Sequence, residues 1–250
     1  MRRCVALFAC LATVAACGGS SDTSKPELTV SAAASLKTAV TAYAGGFDTA
    51  TVRTSFAGSD ELAAQIRQGV KPDVFASANT KLPDQLYDEG LVEKPVVFAA
   101  NQLVLAVPSG GKVTSLDDLA KPGTTIAMGS ASVPVGAYTR KVLDGLPAAE
   151  RKAILGNVRS NEPDVGGVVG KVTQGAVDAG FVYVTDVQAA GGELKAIDLP
   201  AELKPQVAYG VAVVKGAKHP EQAKAFVDGL LSGAGRDALD RAGFLPPPGT

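Results

Sequence analysis

Short β-branched apolar runs alternate with amphipathic stretches along the chain from residue 27 onward. Apolar runs bounded by turn residues predict strands, and apolar positions three or four residues apart predict helices. The predicted strands are Leu28–Ala32, Val52–Phe56, Val74–Ala76, Leu103–Val107, Thr125–Met128, Val158–Ser160, Gly180–Tyr183 and Val207–Val214. The predicted helices are Leu36–Phe47, Glu61–Gln68, Lys81–Glu89, Val135–Leu143, Ala148–Leu155, Val165–Gln174, Glu221–Leu231 and Gly235–Arg241. This alternation is typical of α/β domains built on parallel strands.

The length of the patterned region favours two domains. About 220 residues exceed the commonest domain size of about 100–150. No Gly/Pro/Ser-rich linker interrupts the region, so the chain is expected to pass between the domains in ordered segments, and Leu103–Val107 and Val207–Val214 are the candidate crossings. We expect domain I over residues 27–102 and 206–250, domain II over residues 103–205, and a ligand cleft between them.

The N-terminal segment has the pattern of an export signal. A basic start precedes the apolar run Val5–Ala16, which is well short of the about 20 residues that span a bilayer. Small residues then precede Cys17 and a Gly/Ser-rich stretch, which resembles a bacterial lipobox followed by a flexible tether. We therefore predict a signal peptide over residues 1–16, lipidation of Cys17, a tether over residues 17–26, and a protein held on the outer face of the cytoplasmic membrane. The alternative is an ordinary secreted protein with an incidental cysteine.

Composition excludes several kinds of chemistry. All three cysteines lie within the first seventeen residues and His219 is the single histidine, which excludes a Cys/His zinc site, a Cys–His nucleophile pair and an iron–sulfur cluster from the body. Removal of residues 1–16 leaves a net charge of −3, without the basic excess that nucleic-acid binding requires. The motifs GxSxG, GxGxxG and GxxxxGK[ST] are absent, and His219, before Pro220, is interpreted as a surface residue at a helix start. We predict a protein that is not an enzyme.

Small and hydroxyl residues stand where predicted strands give way to helices. Ser35 and Ser59 each follow a strand, Val135 follows the strand that ends at Met128, Val165 opens a helix, and Tyr183 ends a strand. Helix N-termini bind anions because unpaired N–H groups and the positive end of the helix dipole meet there. Taken singly, each serine is better interpreted as an N-cap, Val165 as helix packing and Tyr183 as a half-buried strand aromatic. Their recurrence in one chain favours an anion site.

Over residues 27–247 the chain resembles the substrate-binding proteins of molybdate ABC importers. The matching stretches, in order, are Ala32–Leu36, Phe56–Ser59 with Glu61-Leu62, Pro72–Ala78, Val133–Gly136, Asp164-Val165, Val182–Asp186 and Ala242–Phe244. Any one of these stretches is weak, whereas their order and spacing along the whole chain are specific to the family.

The resemblance implies a two-domain type II periplasmic-binding-protein fold, two α/β domains joined by a hinge. It also implies that molybdate, and tungstate with it, is held by the hydroxyls of Ser35, Ser59 and Tyr183 and by the backbone N–H groups of Val135 and Val165, without Lys or Arg. Molybdenum would enter only as this oxyanion, with no cofactor and no free metal ion. The implied partner is a membrane ABC permease, and the protein is expected to be a monomer.

Two positions depart from the family pattern, and three alternative functions stay open. Val135 stands where the smaller alanine is common in the family, which leaves the preference for anion size open. Gly58 stands where serine can occur, which removes a possible hydroxyl and allows close approach of the backbone. The nearest alternative is a similar binding protein for another oxyanion, such as sulfate. A ligand-sensing regulatory domain and an exported hydrolase are alternatives from other classes; a hydrolase would turn its ligand over.

Overall fold

The computed structural model describes residues 25–248. The predicted signal peptide, Cys17 and most of the predicted tether lie outside the described residues. In the described part, five strands form sheet I: β1 Glu27–Ala33, β2 Thr51–Ala57, β3 Val74–Ser77, β4 Val96–Asn101 and β10 Val207–Val213. Sheet II contains β5 Leu103–Pro108, β6 Ile126–Gly129, β7 Val158–Glu162, β8 Ala179–Tyr183 and β9 Leu194–Asp198.

Most helices lie in the connections between these strands, and the last two follow β10. The helices are α1 Lys37–Gly45, α2 Ser59–Arg67, α3 Lys81–Asp88, α4 Pro134–Asp144, α5 Ala148–Gly156, α6 Val165–Thr173, α7 Val184–Ala189, α8 Pro220–Leu231 and α9 Ala234–Arg241. Single 3-10 turns occur at Ala34–Leu36, Asp117–Ala120 and Ala201–Leu203. Each sheet with its helices forms an α/β domain, domain I around sheet I and domain II around sheet II, which confirms the predicted fold class.

The two sheets have equivalent topologies. Sheet I has the order β2-β1-β3-β10-β4, with β1 parallel to β2 and β3 and with β10 antiparallel to β3 and β4. Sheet II has the order β7-β6-β8-β5-β9, with β6 parallel to β7 and β8 and with β5 antiparallel to β8 and β9. In each sheet the parallel strands therefore end at the same edge.

The chain passes between the sheets twice within the described residues. It leaves β4 and enters β5 through Gln102, and it returns from β9 to β10 through residues 199–206. The prediction that Leu103–Val107 and Val207–Val214 form the crossings is wrong, because these runs belong to β5 and to β10 with its extension. Their continuous apolar character reflects burial of central strands on both faces.

The apolar core extends from one domain into the other. Leu28 and Val30 of β1 belong to the same buried cluster as Leu105 of β5 and Phe181 of β8. A smaller cluster under α2 and α3 includes Leu62 and Phe75. Among the helices of residues 25–248, none combines the length and the hydropathy of a membrane span.

Candidate functional site

A small pocket lies between the two domains, at the carboxyl ends of β1 and β2 on one side and of β7 and β8 on the other. About 220 Å³ of atom-free space, partly open to solvent, is bounded by Ala33, Ala34, Ser35, Ala57, Gly58, Ser59, Ala78, Val133, Pro134, Val135, Asp164, Val165 and Tyr183. Ligands of open α/β sheets bind at the carboxyl ends of the strands. The structure brings all five residues of the sequence-based site into this one pocket: Ser35, Ser59, Val135, Val165 and Tyr183.

Four helical starts line this region. The 3-10 turn Ala34–Leu36 and helix α2 come from domain I, and helices α4 and α6 come from domain II. The first N–H groups of a helix have no partner within the helix, and the dipole makes this end positive. Val135 is the second residue of α4, after Pro134, and Val165 is the first residue of α6. Their N–H groups are therefore suited to an anion in the pocket.

The hydroxyls of Ser35 and Ser59 do not cap helices. The N-cap positions are Ala33 for the 3-10 turn and Gly58 for α2, and within the described chain no side-chain capping bond forms at either start. Ser59 Oγ instead accepts the N–H of Ala78 at 3.1 Å, and Ser35 Oγ lies 2.9 Å from Tyr209 Oη. The N-cap interpretation of these two serines is thus wrong. Because Ser59 Oγ acts as the acceptor toward Ala78, Ser59 keeps its own proton for a further acceptor.

Tyr183 places an unused donor at the pocket. Its side chain is 1% exposed, and its Oη has no hydrogen-bond partner among the described residues. Burial raises the pKa of the phenol well above its ordinary value, and the nearby Tyr209 phenol raises it further, so the group stays a neutral O–H. A buried polar group without a partner costs about 1–3 kcal/mol. This cost is removed if a ligand accepts the proton.

The strand-to-helix junction that carries Tyr183 is fixed by its neighbour Asp186. The Tyr183 N–H donates to Asp186 Oδ2 at 2.9 Å, which holds the residue at the N-cap of α7. Burial raises the pKa of Asp186 to about 7, the Tyr183 N–H lowers it, and the charge of Asp164 raises it again. The hydrogen bond to Asp186 therefore fixes the backbone of Tyr183, and with it the position of the phenol.

The charges around the pocket are not those of a cation site. Among the described residues that line it, none is Lys or Arg, and Asp164 is the one carboxylate. Asp164 Oδ1 caps helix α6 by accepting the Gly167 N–H at 2.9 Å, which leaves the Val165 N–H unused by the cap. Residues 25–248 contain no group of three or more His, Cys, Asp or Glu side chains that could hold a metal ion. The pocket thus offers converging neutral donors.

Two contributors to the site were not identified from the sequence, and a third, Gly58, was named only as a departure from the family. Tyr209 lies in the middle of β10 and supports Ser35, Ala78 follows β3 and supports Ser59, and Gly58 brings α2 against domain II. A tyrosine inside the apolar strand β10 was the one visible signal, because buried tyrosines usually have a hydrogen-bond partner. Ala78 acts through its backbone, which no side-chain pattern can indicate.

Comparisons with known proteins agree with this geometry. The chain is 35% identical to the molybdate-binding protein ModA of Mycobacterium tuberculosis over 252 residues, 95% of this chain and 94% of the relative. The periplasmic molybdate-binding protein of Azotobacter vinelandii superposes with a TM-score of 0.79 at 22% identity, over 88% of this chain and 99% of that structure. The sulfate-binding protein SubI of Mycobacterium tuberculosis superposes with a TM-score of 0.78 at 18% identity, over 88% and 87%. The two structural matches show the fold alone.

The fold seen here is that of the type II periplasmic binding proteins, with two α/β domains and the pocket between them. The family match covers residues 28–245, and so includes both sheets and every lining residue of the pocket. The resemblance inferred from the motifs is confirmed: the chain belongs to the family of bacterial extracellular solute-binding proteins.

Proposed function

We propose that this protein captures molybdate, and tungstate with it, outside the cytoplasm and delivers it to the permease of an ABC importer. The observation that carries the proposal is the pocket of neutral donors in which the buried Tyr183 hydroxyl has no partner. The 35% identity to a protein named for molybdate binding supports the same ligand. The protein would act by binding and release, without turnover and without a cofactor.

Each of the five pocket residues has a defined role in this proposal. Ser35, Ser59 and Tyr183 donate hydroxyl protons to the oxyanion, and Val135 and Val165 donate backbone N–H groups. Each hydrogen bond to a charged group contributes about 1.5–3 kcal/mol, so a few converging neutral donors can hold a dianion without Lys or Arg. An anion that carries its own O–H would leave that proton unpaired among donors, which favours fully deprotonated ligands.

Capture would involve closure of the two domains around the anion. We place domain I at residues 27–102 and 206–250 and domain II at residues 103–205, because the chain passes between the sheets near these boundaries. Ser35 and Ser59 would then act from domain I, and Val135, Val165 and Tyr183 from domain II. A ligand that bridges the two sets of donors favours the closed arrangement by its differential contacts.

The alternative function is capture of sulfate by the same kind of binding protein. One observation supports it: a sulfate-binding protein shares the fold at a TM-score of 0.78. Both anions are tetrahedral dianions, so selectivity between them would rest on cavity size. Titration calorimetry of the purified protein with molybdate, tungstate, sulfate and phosphate distinguishes them. Tight binding of molybdate and tungstate with weak binding of sulfate is the expected result; sulfate binding as tight as molybdate would overturn the assignment.

The proposed location is the outer face of the cytoplasmic membrane, with the monomeric protein anchored through a lipid on Cys17. The family is extracellular, and the flexible composition of residues 17–26 suits a tether. The test is fractionation of cells that express the full chain or its Cys17→Ala variant. The variant should leave the membrane fraction, and a variant that stays fully bound would count against the anchor.

A further inference from the structure

A buried chain of hydrogen bonds leads from the crossing between the domains to the serine of domain I that lines the pocket. It contains Ser35, Tyr209, Asn101 and Thr185, which are 8%, 0%, 5% and 4% exposed. Asn101 Nδ2 lies 2.9 Å from Thr185 Oγ1 and 3.3 Å from Tyr209 Oη, and Tyr209 Oη lies 2.9 Å from Ser35 Oγ. Asn101 ends β4, directly before the crossing residue Gln102.

The backbone fixes the orientation of the Asn101 carboxamide. The Gln102 N–H donates to Asn101 Oδ1 at 2.9 Å, so the carboxamide oxygen is already engaged and the NH₂ group must face Thr185 and Tyr209. Tyr209 Oη therefore accepts from Asn101. With Asn101 donating to Tyr209 Oη, the phenol proton is available for Ser35 Oγ, and in this arrangement the Ser35 proton is directed away from Tyr209.

We propose that Asn101 and Tyr209 are positioning residues that make Ser35 an obligatory donor toward the bound anion. This inference rests on the proposed function of the pocket and explains its selectivity for fully deprotonated oxyanions. Ser59 is set in the same way by the Ala78 N–H, so in both serines one lone pair is already engaged and the proton is left for the anion. The carboxamide of Asn101 is separated from the pocket by the side chains of Tyr209 and Ser35. It sets the direction in which these two hydroxyls donate.

The substitution Asn101→Asp should reverse the direction of the hydrogen bonds between position 101, Tyr209 and Ser35, while the side chain at position 101 keeps its shape. The carboxylate still accepts the Gln102 N–H, and Thr185 can rotate its hydroxyl to donate. Tyr209 must now donate to Asp at position 101, so Tyr209 Oη accepts the Ser35 proton and Ser35 turns a lone pair toward the anion. Molybdate should lose a charged hydrogen bond, which corresponds to an affinity about tenfold lower or more. Inorganic phosphate keeps an O–H that Ser35 can now accept, so its affinity should not fall in parallel.

Tyr209→Phe cuts the chain without a new charge. Ser35 keeps its proton but loses the partner that directs it, and we expect molybdate affinity to fall about threefold to tenfold. The matched control is Tyr43→Phe, which removes another buried phenol whose Oη donates to Phe226 O at 3.3 Å, away from the pocket. The control should lower the stability of the free protein and leave molybdate affinity unchanged.

The experiment is titration calorimetry of the purified wild type, the three single variants and the double variant Asn101→Asp/Tyr209→Phe, with molybdate and with inorganic phosphate at mildly alkaline pH. In Asn101→Asp the ratio of molybdate to phosphate affinity should fall at least about tenfold. In the double variant the chain is cut, so this ratio should return to that of Tyr209→Phe, although the new charge is still present.

Two results would overturn the inference. One is a Tyr209→Phe protein that binds molybdate as tightly as the wild type. The other is a double variant whose ratio stays as low as in Asn101→Asp, because the carboxylate would then act through its charge and not through Tyr209. A wild-type protein that fails to bind molybdate would instead refute the proposed function, and so the two failures are distinguishable. Thermal unfolding without ligand confirms that each variant is folded.

Discussion

Gly58 lies close against domain II at the pocket, and its replacement by alanine should weaken anion binding without harming the free protein. A Cβ atom at this position would lie 2.4 Å from Pro163 O and 3.4 Å from Val133 Cγ1, both in domain II. The backbone of Gly58 has φ −60° and ψ 136°, which alanine adopts without strain. The substitution therefore acts mainly on the contact between the domains; within domain I the added Cβ lies 2.9 Å from Asp60 Oδ1, the end of a side chain that can turn away.

The size of the effect follows from the distance to Pro163. Cβ atoms essentially never approach another heavy atom within 3.0 Å, so the domains must separate by at least about 0.6 Å at this point. A donor–acceptor distance of about 2.8 Å would then exceed the favourable range for charge-assisted hydrogen bonds. Loss of one such bond from domain II corresponds to a Kd about tenfold to a hundredfold higher.

The assay is titration calorimetry of Gly58→Ala with molybdate, alongside chemical unfolding of the free protein. Stability should be unchanged or higher by about 0.4–1 kcal/mol, because alanine restricts the unfolded chain. The matched control is Gly45→Ala at the end of α1, where nothing lies within 4 Å of an added Cβ. A Gly58→Ala protein that binds molybdate like the wild type would refute the reasoning that the donors need this close approach.

Three further predictions concern the pocket and its supports. Tyr183→Phe removes a buried hydroxyl that has no partner in the described structure, so calorimetry should show molybdate affinity at least about tenfold lower, while urea unfolding shows no loss of stability. Val135→Ala keeps the N–H donor, and should lower stability by about 2 kcal/mol while molybdate affinity stays within about threefold; a larger loss would contradict the backbone role. The folded pKa of Asp186, about 7, lies above its unfolded value, so the stability of the free protein should fall as pH rises from about 4 through 7. Asp186→Asn should flatten that part of the profile in urea unfolding, and an unchanged profile would exclude this carboxyl as its source.

Hydrophobic periodicity predicted most of the fold, and the elements that it missed have physical causes. Strands β4 and β5 are separated by Gln102 alone, so their apolar residues form nearly one run that periodicity cannot divide between two sheets. Helix α7 begins directly after β8 and has six residues, too few for a helical pattern to stand out. Strand β9 lies at the edge of sheet II, is only partly buried and has five residues, too few for a clear alternation to stand out.

The sequence predicted the five residues of the site but not the residues that support them. The five residues were found because strand-to-helix junctions and the motifs of a family mark them. Their supports depend on long-range pairing: Tyr209 is 174 positions from Ser35, and only the topology of sheet I brings β10 near the end of β1. The contact between Gly58 and Pro163 likewise exists only once the two domains have come together.

The most direct test of the account is thermal unfolding of the purified protein with and without molybdate. A ligand that binds only the folded state stabilises it by about 2.7 kcal/mol at a hundred times its Kd, which should raise the Tm by about 5–10 °C. We expect this shift with molybdate and a much smaller one with the same concentration of sulfate. No shift with molybdate, or an equal shift with sulfate, would contradict it.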